Sequence, residues 1–138
     1  MNEQMADGGW NCQKENGAVH SSMHTTINVL EGLLDYRDKY NYKLEEVRKA
    51  ENKAHEFLLT HKLFKSDKND KIIDKKFTYL SFPPRWRYDI LRVMEYFYFY
   101  NKEYDNRMEE ALKLIVNKKN KNGKWPLRVN MTAEYTLN

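Results

Sequence analysis

Two glycine-tryptophan corners frame this 138-residue chain, Asp7-Gly8-Gly9-Trp10 near one end and Asn122-Gly123-Lys124-Trp125 near the other, and most of what lies between them carries helical periodicity. A corner of the form Asp/Asn-Gly-X-Trp needs glycine to reach positive φ cheaply, and the indole beside it fills the space between successive helix pairs. Trp10 and Trp125 are 115 positions apart. Removing an insertion of roughly 18 residues leaves about 48 per helix pair, close to the period of two-helix repeats. The spacing predicts an all-α chain of two αα-hairpins.

Local signals divide the hairpins. Ser21 or Ser22 can cap a first helix whose apolar stripe is Met23, Ile27, Leu30 and Leu34, widened by Leu33, and Asp38-Lys39-Tyr40-Asn41 ends it. A second helix is predicted from about Tyr42 to His61, with Leu44, Val47, Ala54, Phe57, Leu58 and His61 on one side and Glu45 and Glu46 at its positive end. Residues 63 to 84 break the periodicity and read as a short irregular or hairpin insertion; within it Ile72, Ile73, Phe77, Tyr79, Leu80 and Phe82 form an extended or packed segment. Pro83-Pro84 is expected to open a third helix. Its stripe is Trp86, Ile90, Val93, Phe97 and Tyr100, with Leu91, Met94 and Tyr98 on a second side that implies a helix sandwiched between neighbours. Asp105 is the expected cap of a fourth helix carrying Met108, Ala111, Leu112, Ile115 and Val116, closed by Lys118, Lys119, Lys121 and Asn122-Gly123. The tail Leu127 to Asn138 carries no assignable pattern.

Composition narrows the function classes. At 41% hydrophobic residues the chain is not a disordered tail. Its net charge of +4, from 24 basic and 20 acidic side chains, reads as interspersed along the helices and so predicts solvated faces and no specific nucleic-acid partner. A single cysteine, Cys12, excludes an intrachain disulfide. With no apolar leader or membrane-length run, the chain reads as cytoplasmic with no membrane span; the Asn130-Met131-Thr132 sequon carries little weight there.

With those corners and helix pairs in hand, the chain resembles the terpenoid cyclase and protein prenyltransferase superfamily, whose αα-hairpins close into an α/α toroid. Asp7-Gly8-Gly9-Trp10 is similar to the core of that superfamily's Gln/Trp repeat motif, and Asn122-Gly123-Lys124-Trp125 to a degraded copy. More narrowly, Asp7-Gly-Gly-Trp-Asn-Cys12, His20-Ser-Ser-Met-His-Thr-Thr26 and Phe82-Pro-Pro-Arg-Trp-Arg-Tyr-Asp89 resemble an uncharacterised prenyltransferase-like branch. The resemblance implies a single partial toroid domain over 1–138, a C-terminal fragment of a longer array, with a concave face for an apolar or isoprenoid-type ligand. It brings no catalytic residues. The Asp-X-Asp-Asp acid motif of the cyclases does not occur, since Asp35-Tyr-Arg-Asp38 and Asp67-Lys-Asn-Asp70 both fail it, and the zinc ligands of the prenyltransferases cannot be matched. Too few hairpins for a closed ring implies self-association or missing repeats of the same protein.

Two polar clusters sit at predicted helix starts: His20, Ser21, Ser22, His24 and Thr25 at one, Arg85, Trp86, Tyr88 and Asp89 at the other. The ligand-binding candidates are His20, His24, Thr25, Arg85, Trp86, Tyr88 and Asp89. Helix-end partial charge and Arg85 would favour a phosphate or carboxylate beside an aromatic wall; the plainer alternative is capping by Ser21 or Ser22 and an Arg85–Asp89 pair. Cys12, His20 and His24 are zinc candidates without an evident fourth ligand, set against a buried free thiol and two hydrogen-bonded histidines. Cys12 with either histidine and Asp89 could also form a nucleophilic site, which nothing in the spacing demands. His55 and His61 are expected at the surface and at a helix end. The run Tyr96-Phe97-Tyr98-Phe99-Tyr100 cannot make one stacking platform, because consecutive helical rings point apart. Function is expected to be ligand binding at the concave face or, alternatively, protein–protein interaction by a non-catalytic helical repeat module.

Overall fold

The computed structural model describes residues 3–126 and the backbone of 129–130; the rest of the tail and the Met131 and Thr132 positions of the sequon lie outside the described residues. Among the described residues four α-helices follow one another: α1 Met23–Lys39, α2 Leu44–Thr60, α3 Ile90–Tyr100 and α4 Glu109–Asn117. The chain divides into two compact units, Met1–Thr60 and His61–Asn138, and each holds one helix pair.

In the first unit α1 and α2 pack as an αα-hairpin. Ser22 is the N-cap of α1, its side chain accepting from the Thr25 N–H. The buried stripe of Met23, Ile27 and Leu30 meets Val47, Ala54, Phe57 and Leu58 of α2, so the 3.6-residue periodicity of both helices is spent on one shared core. Arg37 and Lys39 occupy the last turn of α1, where cations meet the negative helix end.

The second unit begins with the irregular stretch. Lys65 and Ile72 form an isolated antiparallel bridge around a turn closed by Ser66 N–H donating to Lys71 O at 2.7 Å. Phe77 and Leu80 are buried, whereas Ile72, Ile73 and Phe82 are exposed, so only part of the expected packed segment packs. Strand β1, Ser81–Phe82, pairs in parallel with β2, Val129–Asn130, over two residues each.

The start of α3 differs from expectation. Pro83-Pro84 does not open it: Arg85 sits at φ +52°, a left-handed conformation that interrupts any helix, and α3 starts only at Ile90, where Asp89 caps it through a 2.8 Å bond from the Arg92 N–H. Trp86 therefore lies off the helix. Ile90, Val93 and Phe97 are buried, but Tyr98 on the second side is 78% exposed, so that side is not sandwiched. Asn101 at φ +64° ends α3, its N–H bonding the Phe97 and Tyr98 carbonyls. Asp105 caps a single 3₁₀ turn, Asn106–Met108, that runs on into α4. Met108, Ala111 and Ile115 of that run are buried, while Leu112 and Val116 are exposed.

Candidate functional site

The first corner is built as the glycines require. Gly8 holds φ +102°, and a Cβ there would collide with the Lys53 carbonyl. Trp10 is 6% exposed. Its N–H donates to Thr26 Oγ1 at 3.0 Å, and its carbonyl accepts from the Ser22 N–H at 2.8 Å and from the Thr26 hydroxyl. Asp7 accepts from both the backbone N–H and the hydroxyl of Ser21. The corner is thus fastened to the start of α1 by bonds between Asp7 and Ser21, Trp10 and Ser22, and Trp10 and Thr26.

Around it, the Cys12 N–H donates to Thr25 Oγ1 at 3.3 Å, the His20 carbonyl accepts from Asn11 Nδ2 at 2.8 Å, and the His24 carbonyl accepts from Asn28 at 2.7 Å. Cys12 is exposed, not the buried thiol considered above, and His20 is exposed while His24 is half-buried. Among the described residues no three His, Cys, Asp or Glu side chains come together to hold a metal ion, so Cys12, His20 and His24 do not converge into a zinc centre.

In the second unit the 85–89 segment splits. Arg85 and Trp86 are exposed, Trp86 to 55%, with the Arg87 guanidinium 5.6 Å from its ring. Tyr88 is buried: its hydroxyl donates to the Leu63 carbonyl, its ring meets Phe77 edge-on at 5.0 Å, and burial with the neighbouring Asp89 charge holds its pKa well above the ordinary value. Asp89 accepts from the Arg92 N–H and, at 3.3 Å, from the Ser81 N–H; burial raises its pKa and these bonds oppose the rise.

Three features depart from the sequence expectations or go beyond them. Glu51 and His55, both 0% exposed, lie inside the first unit, and Arg37 reaches Glu51 at 3.4 Å. His55 is therefore not a surface residue; it shares the face of Val47, Glu51, Ala54 and Leu58, a placement its spacing would have disclosed. His61 does stand just beyond α2, 3.7 Å from Asp67. Second, a cleft of about 220 Å³ is lined by Leu33, Tyr36, Tyr42, Lys43, Glu46 and Val47. Third, Lys62 and Lys65 both reach Asp70 and Glu110, tying the irregular stretch to α4; these pairings raise the lysines and lower the carboxylates.

The second corner is looser. Trp125 is 47% exposed but not adrift: its Nε1 donates to the Ile115 carbonyl at 2.6 Å. No family model, curated protein or solved structure matches the chain.

Proposed function

We propose that the chain is a non-catalytic helical module, a piece of an α/α toroid like that of the terpenoid cyclases and prenyltransferases, that works by associating with another helical surface of its own kind. The observation that carries this is the outer side of α3. Leu91, Tyr98 and Phe99 recur at helical spacing, and Tyr98 and Phe99 are 78% and 66% exposed with their rings edge-to-face at 5.4 Å. Aromatic side chains that pack each other while facing water gain most from a partner that removes the water. Buried Trp10, whose backbone is bonded to the start of α1, supports the hairpin-stacking architecture. Sedimentation equilibrium tests the association: self-association that is lost in Tyr98→Lys, Phe99→Lys with unchanged helix content supports it, and a monomer at the highest soluble concentration removes it.

A second reading, binding of an isoprenoid-type ligand, is favoured by the exposed Trp86 flanked by Arg85 and Arg87. Here an indole face and two cations would meet an apolar chain and its phosphate. Calorimetry with a prenyl diphosphate tests it: heat lost in Arg85→Ala, Trp86→Ala supports the ligand site, and no heat in the wild type sinks it.

A further inference from the structure

The chain's positive charge is not spread evenly. Between positions 111 and 133 there are six basic and no acidic residues, which leaves 18 basic against 20 acidic in the remainder. The excess therefore resides in this block, contrary to the interspersed pattern expected from the helices alone. Within it, Lys118, Lys119, Lys121 and Lys124 surround the turn that follows α4, and among the described residues no acidic side chain lies within ion-pair distance of any of them. Neutralising the helix end does not account for all four, because that partial charge acts only over the last turn. Lys121 and Lys124 lie beyond it.

Hydrogen bonds close the turn that presents them. The Asn120 side chain accepts from the Asn122 and Lys124 N–H groups at 3.0 Å, the Asn120 N–H donates to the Lys124 carbonyl at 2.7 Å, and the Gly123 N–H donates to the Asn120 carbonyl. Gly123 supplies the required positive φ of 75°. Beside the turn stands Trp125, its ring edge fixed by the Ile115 carbonyl, half exposed, with the Lys119 ammonium 5.2 Å from the ring centroid.

We propose that the Lys118–Trp125 turn is a sequence-independent binding surface for single-stranded nucleic acid. The lysines meet successive phosphates, and the fixed indole stacks a base. Lysines alone would suit any polyanion; the immobilised ring selects among them, because a nucleotide carries a phosphate for Lys119 and a flat π-face for Trp125 at once, whereas an acidic peptide offers only the charge. This surface is independent of the outer side of α3.

The test is fluorescence anisotropy of a labelled oligothymidylate titrated with the full chain. Four phosphate contacts on a single strand predict a log–log salt slope of about −2.8, hence affinity about fifty-fold weaker on a fourfold rise in salt. Lys118→Gln, Lys119→Gln, Lys121→Gln, Lys124→Gln together abolish the slope, whereas the same loss of charge at Lys39, Lys53, Lys68 and Lys75 leaves it. Trp125→Leu weakens binding about tenfold, and Trp125→Phe, which keeps a stacking ring while losing the Ile115 bond, restores most of it. The proposal is overturned if the quadruple variant binds like wild type, if Leu and Phe at 125 behave alike, or if a labelled polyglutamate or phosphatidylserine vesicles bind as tightly as the oligonucleotide.

Discussion

Replacing Thr26 by valine isolates the bond that fastens the first corner to α1. Thr26 is fully buried, and its Oγ1 accepts the Trp10 N–H at 3.0 Å while its own proton reaches the Trp10 carbonyl at 3.3 Å. Valine matches the shape and leaves no cavity. The carbonyl keeps the Ser22 N–H at 2.8 Å, so only one group, the Trp10 N–H, loses its acceptor. A buried donor left unsatisfied costs about 1–3 kcal/mol, and with a urea dependence of about 2 kcal/mol per molar, a mid-range loss lowers the unfolding midpoint by about 1 M. Thr26→Ser keeps the hydroxyl and sacrifices one methyl, a loss of about 1 kcal/mol. Urea unfolding followed by far-ultraviolet circular dichroism ranks the three proteins wild type, Ser, Val in falling stability. A serine variant weaker than the valine variant would mean that methyl packing, not the hydroxyl, holds Trp10, and the account of the corner would fail.

Three further outcomes are expected. Gly8→Ala and Gly17→Ala both force alanine to positive φ, but only Gly8 faces the Lys53 carbonyl while nothing lies within 4 Å of a Cβ at Gly17; the Gly8 variant should lose at least about 2 kcal/mol and the Gly17 variant about half of that, by the same urea assay. Asp105, held by Arg107 at 2.8 Å, has its pKa lowered from 3.8 to about 2, so its stabilisation is complete above about pH 4 and disappears as the pH falls through 2; Asp105→Asn should flatten thermal stability against pH in that window, and an unchanged profile would discard the pairing. Arg37→Met removes the cation facing buried Glu51 and should cost about 2 kcal/mol, less than a fully buried pair because Arg37 remains partly exposed. The double variant Arg37→Met, Glu51→Met should recover most of it, which thermal melts of the four proteins in the cycle would measure.

Helix existence was legible because it depends on a periodicity that burial enforces. Met23, Ile27 and Leu30 had to face Val47, Ala54 and Leu58 for either helix to be stable, and Ser22 and Asp105 could be recognised as caps by type and position. The start of α3 was not legible, because two signals competed there. Prolines favour a first helical turn, yet a side-chain cap at Asp89 with acceptors for both Arg92 and Ser81 N–H groups fixes a later start, and the left-handed Arg85 separates the two. The burial of His55 and Glu51 was not legible for a different reason: residue type places His55 at the surface and gives Glu51 no role, although phase does otherwise. Their i, i+4 spacing on the Val47 face put them inside, and the Arg37 partner that makes this affordable for Glu51 sits on the other helix, fourteen residues away.

The candidate site shows how far adjacency in sequence can mislead. Trp86 and Tyr88 were grouped as one aromatic wall, but two residues suffice to carry the chain from solvent to core. At Trp86 the ring is exposed beside Arg87, whereas at Tyr88 the hydroxyl is used by the Leu63 carbonyl and the ring by Phe77. Any ligand approaching this segment would meet Arg85, Trp86 and Arg87, not Tyr88. A substitution that keeps the Tyr88 ring and deletes its hydroxyl, Tyr88→Phe, should therefore act on folding: it strands the Leu63 carbonyl and costs about 1–2 kcal/mol in urea unfolding. Ligand affinity of the folded protein should stay unchanged. If instead Tyr88→Phe left stability intact and weakened binding of the prenyl diphosphate, Tyr88 would have to leave the core to reach its ligand, and the static separation of these side chains would not describe the binding state.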